Sequence, residues 1–280
     1  MLVYVLYPVL SPKFYLKLMM FGLLGYWPNL KNPGTFNEKT AYLKLYPPQP
    51  LASIAADKWR VRDYVSQKGL SEILNQVYWY GNNPQAIPFD ELPAQFVIKA
   101  NHGSGWNIFV ADKNNIDRDA IIAKCNYWLN TKYGKKGRWY ESFYDNIEPL
   151  IIIEKFLEDK SGDLSDYKFF CYDGKPKFVQ VSFDRYTNHT RTYFDEEWNV
   201  IPMSLGNPRG KIIPKPICYD RMLQAAKRLS SDFNFVRVDL YEFNQAQVIF
   251  SELTLTHGGG FERFYPKEWD YKFGEYWKIG

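Results

Sequence analysis

Asp239 and Glu252 lie on neighbouring apolar runs, Phe235 to Leu240 and Val248 to Phe250, separated by a turn that contains Asn244. Such a pattern predicts a β-hairpin. Carboxylates leaving the same face of paired strands can share a divalent cation, and magnesium takes hard oxygen ligands, commonly one or two carboxylates together with substrate phosphates. The spacing fits a metal platform for a nucleotide; it also fits an ordinary hairpin with solvated acids. Upstream, a short strand at Phe96 to Lys99 ends in a lysine and opens into Ala100, Asn101, His102, Gly103, Ser104 and Gly105. A glycine-bearing loop lets backbone N–H groups approach phosphate oxygens, and a strand-borne lysine adds a point charge. Because Lys99 precedes the glycines and no Gly-Lys-Ser/Thr opens a helix, this is neither a P-loop nor a dinucleotide fingerprint. A strand followed by a flexible connection is the alternative.

The elements that must position these groups alternate between α and β. Leu150 to Ile153 reads as a buried strand ending at Glu154, Asp166 to Tyr172 as another, and an Asp173-Gly174 turn leads to a third from Pro176 to Val181. Thr35 to Lys39 marks a turn into a helix that Pro47, Pro48 and Pro50 end. Asp57 to Val65 opens a second helix, with Lys58 and Arg62 one turn apart on a common face that is either solvated or meets phosphates. Asp220 reads as the N-cap of a helix carrying Met222, Leu223, Ala225, Ala226 and Leu229. Antiparallel hairpins mixed with helices predict an α+β protein built from lobes.

At 280 residues the chain can bury a substantial core without staples. Cys125, Cys171 and Cys218 stand far apart, which argues against zinc and a disulfide scaffold and suits a reducing compartment. A net charge of +4 suits phosphorylated substrates or a membrane surface and is too modest to imply nucleic acid. The aromatic share of 18% is high, as core material or as carbohydrate-facing surface. The apolar runs Met1 to Leu10 and Phe14 to Trp27 are too short to cross a bilayer, for which ~20 residues are needed, and Pro8, Pro12 and Pro28 interrupt them. They predict a helix that docks on the body or lies on a membrane surface, with docking the commoner outcome.

In this order the pieces resemble a known family. D-K-W-R around Lys58, F-V-I-K-A-N-H-G-S-G around Lys99, I-I-I-E-K-F around Glu154, D-Y-K-F-F-C-Y-D-G-K from Asp166, R-V-D-L-Y from Arg237 and S-E-L-T from Ser251 resemble the ATP-grasp superfamily. With T-F-N-E-K from Thr35, the wording is similar to the TupA-like ATP-grasp proteins of bacterial cell-surface polysaccharide synthesis, from about Asn32 to Gly274. The resemblance implies an ATP-grasp fold, with ATP between two α+β lobes. The expected division is a helical segment over residues 1–56, a lobe with the glycine loop over 57–157, and a lobe with the metal site over 158–280. ATP and Mg2+ are the implied cofactors. Lys99, helped by Lys58, would hold the phosphates beside His102, Gly103, Ser104 and Gly105; Glu154 would hold adenine or ribose, and Lys168 would face the nucleotide. Asp239 and Glu252 match the metal-binding acids, and Arg237 matches an arginine that steadies the transferring phosphoryl group. The further ligand in many relatives is asparagine, where this chain has Thr254, a weaker donor. The loop Thr256 to Gly260 would cradle an acyl phosphate or acceptor, with His257 as a base or as a positional residue; His102 carries the same ambiguity.

The implied reaction is ligation of a carboxylate and an amine through an acyl phosphate. Its partners would be a carboxylate-bearing saccharide or amino acid and an amine acceptor, in teichuronopeptide-like, capsule or exopolysaccharide synthesis. The implied location is cytoplasmic, at the inner face of the membrane if the N-terminal helix makes peripheral contact. Three alternatives stay open: a kinase acting on a saccharide hydroxyl, a glycosyltransferase, which would usually carry a D-x-D acid pair on a loop, and a degenerate fold that binds without turnover.

Overall fold

The computed structural model describes residues 10–134, 139–158, 164–184 and 188–279. Most of the first apolar run, residues 1–9, lies outside them. Helix α1 (Pro12–Leu24) starts where Ser11 accepts a bond from the Phe14 amide and stops at Gly25, whose φ of 81° is left-handed. It docks: Tyr15, Leu16, Met19 and Met20 pack with Leu30, Ala41 and Phe261. No helix among the described residues is long and apolar enough to cross a membrane. Helix α2 (Phe36–Leu45) opens with a reciprocal capping box between Thr35 and Glu38.

Helices α3 (Leu51–Ala56) and α4 (Val61–Gln67) follow. The second starts four residues later than the expected Asp57, because the Asp57 carboxylate accepts bonds from the amides of Trp59 (2.8 Å) and Arg60 (3.3 Å) and from Asn101 Nδ2 (2.9 Å). These bonds fix a turn, so Lys58 precedes the helix and does not share a helical face with Arg62. Val61, Tyr64 and Val65 pack into the core of the larger sheet.

A four-stranded antiparallel sheet comprises β1 (Val77–Gly81), β2 (Phe96–Ala100), β3 (Asn107–Val110) and β4 (Ile151–Lys155), in the order β1-β4-β2-β3. Phe96, Ile98, Ala100, Ile151 and Ile153 cluster with Ile121, Cys125 and Trp128 of helix α5 (Arg118–Leu129). Alternation sends Val97, Lys99, Ile152 and Glu154 to the other face.

The larger sheet runs β11-β10-β5-β6-β7-β8, built from β5 (Asp166–Tyr172), β6 (Lys175–Phe183), β7 (Thr190–Asp195), β8 (Val200–Ile201), β10 (Phe235–Phe243) and β11 (Gln247–Thr254). Two short strands, β9 (Ser204–Leu205) and β12 (Phe264–Tyr265), pair separately. The two expected hairpins form. Asp173 and Gly174 have φ of 47° and 75°, and Asn244 and Gln245 have 51° and 55°. Two consecutive left-handed residues match the right-handed twist of the strands they join. Helix α6 (Tyr219–Ser230) lays Met222, Ala225, Ala226 and Leu229 into the core. Its N-cap is Cys218, whose amide donates to Glu242; the expected Asp220 lies inside the first turn. Helix α7 (Glu268–Glu275) packs on α2, and all three cysteines are buried and unpaired.

Candidate active site

Strand register brings the expected acids together. Asp239 on β10 pairs with Lys168 on β5 and Glu252 on β11, and Lys168 pairs with Gln180 on β6. Period-two alternation adds Arg237 and Thr254 to the same face. A bulge after Asp239 shifts the ladder, so that Glu252 opposes Asp239 while Phe250 opposes Leu240.

Arg237 binds this face together. Its Nε donates to Asp239 Oδ1 (2.7 Å), and its Nη2 to Asp239 Oδ2 (2.6 Å), Glu252 Oε1 (3.0 Å) and Thr254 Oγ1 (2.9 Å). Lys168 Nζ donates to Asp239 Oδ2 and lies 2.8 Å from Asp166 Oδ2. Asp239 is completely buried, whereas the Glu252 side chain is 43% exposed. Burial alone would push the Asp239 carboxyl upward; the Arg237 and Lys168 cations outweigh it and hold the group well below the usual carboxylate range.

A divalent cation fits these residues. Three hard oxygen donors, from Asp239, Glu252 and Thr254, converge within 2.6 to 3.0 Å of one nitrogen, Arg237 Nη2, a donor set of the kind a divalent cation takes. Among the described residues no group of three or more His, Cys, Asp and Glu could hold a metal. An ion here would therefore complete its shell from the Thr254 hydroxyl, water and phosphate oxygens, with Arg237 turned away.

The smaller sheet carries the other expected charged groups. Lys99 Nζ pairs with Glu154 Oε2 at 2.7 Å, and Asn75 Nδ2 reaches the same oxygen at 3.4 Å. Burial pushes the Glu154 carboxyl up, but Lys99 and Arg62 prevail and hold it below its ordinary value. Lys58 donates to the Gly103 carbonyl. Burial draws its ammonium down, while Glu252 from the larger sheet and Glu154 from the smaller both act to raise it. Lys58 thus feels carboxylates of both sheets. Gly103 cannot bear a side chain, since a Cβ would stand 2.7 Å from the Trp106 ring, and Gly105 is left-handed at φ 74°. His102 is buried, with its nitrogens on Asn101 Oδ1 (3.1 Å) and the Trp128 carbonyl (3.0 Å), and burial lowers its pKa. This favours the positional reading.

A cavity of about 420 Å³ opens on the Arg237 face of the larger sheet. Of the residues singled out in the sequence, Lys58, Ser104, Arg237, Glu252, Thr254, Thr256, Gly258 and Gly259 line it; Lys99, His102, Gly103, Gly105, Glu154, Lys168, Asp239 and His257 do not. Sequence reasoning missed Glu141, Tyr133, Trp139 and Tyr144, which also line it. They come from a segment with no strand or helix periodicity, and no motif marked them.

His257 is buried beside Arg237. Its Nδ1 faces Arg237 Nη1, which can only donate, so the ring proton sits on Nε2, 3.1 Å from Glu262 Oε2. Burial draws the imidazole down to about 4, so it is neutral near pH 7. Glu262 is held in turn by Arg191 at 2.8 Å. With its Nδ1 lone pair taken by Arg237, His257 orients Arg237 and has no lone pair to offer as a base.

Solved structures of similar topology include D-alanyl-alanine synthetase A from Vibrio cholerae O1 biovar eltor (10% identity, TM-score 0.46, 80% of this chain and 64% of that one). Others are D-alanine–D-alanine ligase from Bacillus anthracis with ATP (15%, 0.44, 72% and 55%) and the ATP-grasp ligase PsnB with minimal precursor, Mg and ADP (12%, 0.40, 79% and 58%). The chain spans little more than half the length of these proteins. No curated protein sequence matches it. The profile described as TupA-like ATPgrasp matches residues 38–278, from the capping box of α2 through both sheets to the end of the C-terminal helix. By that match over most of its length, the chain belongs to the TupA-like ATP-grasp family.

Proposed function

We propose that this protein is an ATP-dependent carboxylate–amine ligase that works through an acyl phosphate. The observation that carries the reading is the face shared by Lys168, Arg237, Asp239, Glu252 and Thr254, of which Arg237, Glu252 and Thr254 line a cavity that Lys58 also lines. Lys58 and Lys99, with the Gly103 to Gly105 loop, suit ATP phosphates, and Glu154 and Lys168 suit the nucleoside side. Asp239, Glu252 and Thr254 would hold Mg2+, which when bound offsets phosphate charge during transfer. Arg237, seated on those acids at rest, has the rigid fork that a transferring phosphoryl group requires. We assign residues 57–157 and 158–280 as the two clasping lobes and residues 1–56 as a helical segment, supported by the two separate sheets.

We further infer a cell-surface polysaccharide setting at the cytoplasmic face of the membrane. It is supported by the family resemblance, by aromatic faces at Tyr133, Trp139 and Tyr144 that suit a sugar ring, and by Phe14, Phe21 and Trp27 exposed on and beside α1. The ligase reading is tested by measuring ADP release with a panel of amino acids and uronic acids in the presence of hydroxylamine. Carboxylate-dependent ADP together with a hydroxamate supports it; ADP accompanied by a phosphorylated sugar and no hydroxamate replaces it with a kinase.

A further inference from the structure

A ligase must hold its amine as well as its acyl phosphate, and the inference that follows rests on the ligase reading. The cavity lining mixes charges with aromatic rings. Arg237 and Lys58 belong to it, where phosphates and a carboxylate are attracted. So do Tyr133, Trp139, Glu141, Tyr144 and Thr256. Glu141 is only 8% exposed, yet it belongs to the cavity surface. Its Oε1 accepts from the Thr256 hydroxyl, which fixes the carboxylate among the aromatic rings.

The titratable groups that face Glu141 are Lys44, Glu252, Tyr133 and Tyr144. Lys44 draws the Glu141 carboxyl down electrostatically, while its own Nζ donates to the Gly259 carbonyl and lies 4.4 Å from the centre of the Phe261 ring. A carboxylate buried on a cavity wall between aromatic faces is costly unless a cation completes it, and aromatic faces attract an ammonium in addition.

We propose that the part of the cavity at Glu141 is the acceptor subsite, that it binds a primary ammonium group, and that the Glu141 carboxylate receives one of its protons. The freed nitrogen lone pair attacks the acyl carbon, and a C–N bond forms as the C–O bond to phosphate breaks. Phosphate leaves with that electron pair and takes the second proton lost by nitrogen, so the products are an amide, hydrogen phosphate and protonated Glu141. Burial raises the affinity of the Glu141 carboxyl for protons, which suits this role.

The test titrates the full chain with ethylammonium chloride, using sodium chloride and ethanol as salt and neutral controls, and follows heat and tryptophan fluorescence with and without a non-hydrolysable ATP analogue. Ethylammonium should bind saturably where ethanol does not, and Glu141→Gln should weaken it at least tenfold, with Glu141→Asp restoring part of the loss. ATP-analogue affinity should be the same in all three proteins. Equal binding of ethanol and ethylammonium, no saturable binding, or undiminished binding in Glu141→Gln would overturn the subsite. The comparison with ethanol decides on the unmodified protein even if the variant does not fold. Failure of the unmodified protein to bind the ATP analogue would overturn the ligase reading instead, leaving the ethylammonium result to stand separately.

Discussion

Replacing Asp239 with asparagine tests whether the Arg237 network is as buried and as tightly paired as described. The carboxylate takes three charge-assisted bonds, two from Arg237 and one from Lys168, at a site with no exposure. An amide keeps one acceptor atom and turns an NH2 toward donors. Its better orientation places the NH2 at the Oδ1 position against Arg237 Nε, which leaves one donor unmet and removes a counter-charge shared by two cations, leaving Lys168 with Asp166 and Arg237 with Glu252. Removing one partner of a buried ion pair costs about 3–5 kcal/mol, a large share of the roughly 5–15 kcal/mol that holds a domain folded. Urea unfolding of Asp239→Asn should show that loss. The double variant with Lys168→Met should fall about 1–3 kcal/mol short of the sum of the single effects, because either change alone already removes the Lys168–Asp239 bond. A loss below about 1 kcal/mol, or strictly additive effects, would refute the reasoning.

Four further outcomes follow from particular contacts. Asp239→Asn and Glu252→Gln should each lower ADP-forming turnover by more than ~100-fold, the scale of a lost preorganised electrostatic contribution; near-normal turnover in both would sink the cation assignment. Lys99→Ala should weaken binding of an ATP analogue, and unchanged affinity in a calorimetric titration would mean that the glycine loop has been misread. His257 is held down to about 4 by burial, against an ordinary value near 6.5. The unfolded chain therefore binds a proton that the folded chain refuses between those values, so stability falls as pH drops from about 6.5 to 4, by up to about 3 kcal/mol. Glu262, drawn down to about 2 despite its burial, adds a further loss below about 4.5, and a urea series in His257→Gln should lose the upper part of this slope. Finally, a Cβ at Gly274 would stand 2.3 Å from the Gly34 carbonyl oxygen, whereas one at Gly22 meets nothing within 4 Å. Gly274→Ala should cost about 1–3 kcal/mol and Gly22→Ala should gain about 0.5–1 kcal/mol, both read from thermal melting.

What could be read in the chain was what local rules control. The acid-bearing hairpin declared itself through period-two alternation and a turn residue that tolerates a left-handed backbone, and both acids then landed opposite one another. The capping box at Thr35 and Glu38 was equally local. The displaced start of α4 was not legible, because Asp57 is committed to the Trp59 and Arg60 amides and to Asn101, a partner 44 residues away. Lys168 was visible as a strand residue, but its grip on both Asp166 and Asp239 depends on the pairing of β5 with β10. Glu141 was invisible for the same reason: only the folded chain brings it to Thr256, 115 positions later.

The most direct measurement is a calorimetric titration of the full chain with a non-hydrolysable ATP analogue, with and without magnesium, alongside UDP-sugars. The account predicts saturable, magnesium-dependent binding of the ATP analogue and none of the UDP-sugars. Binding of a UDP-sugar alone, or ATP-analogue affinity indifferent to magnesium, would contradict it.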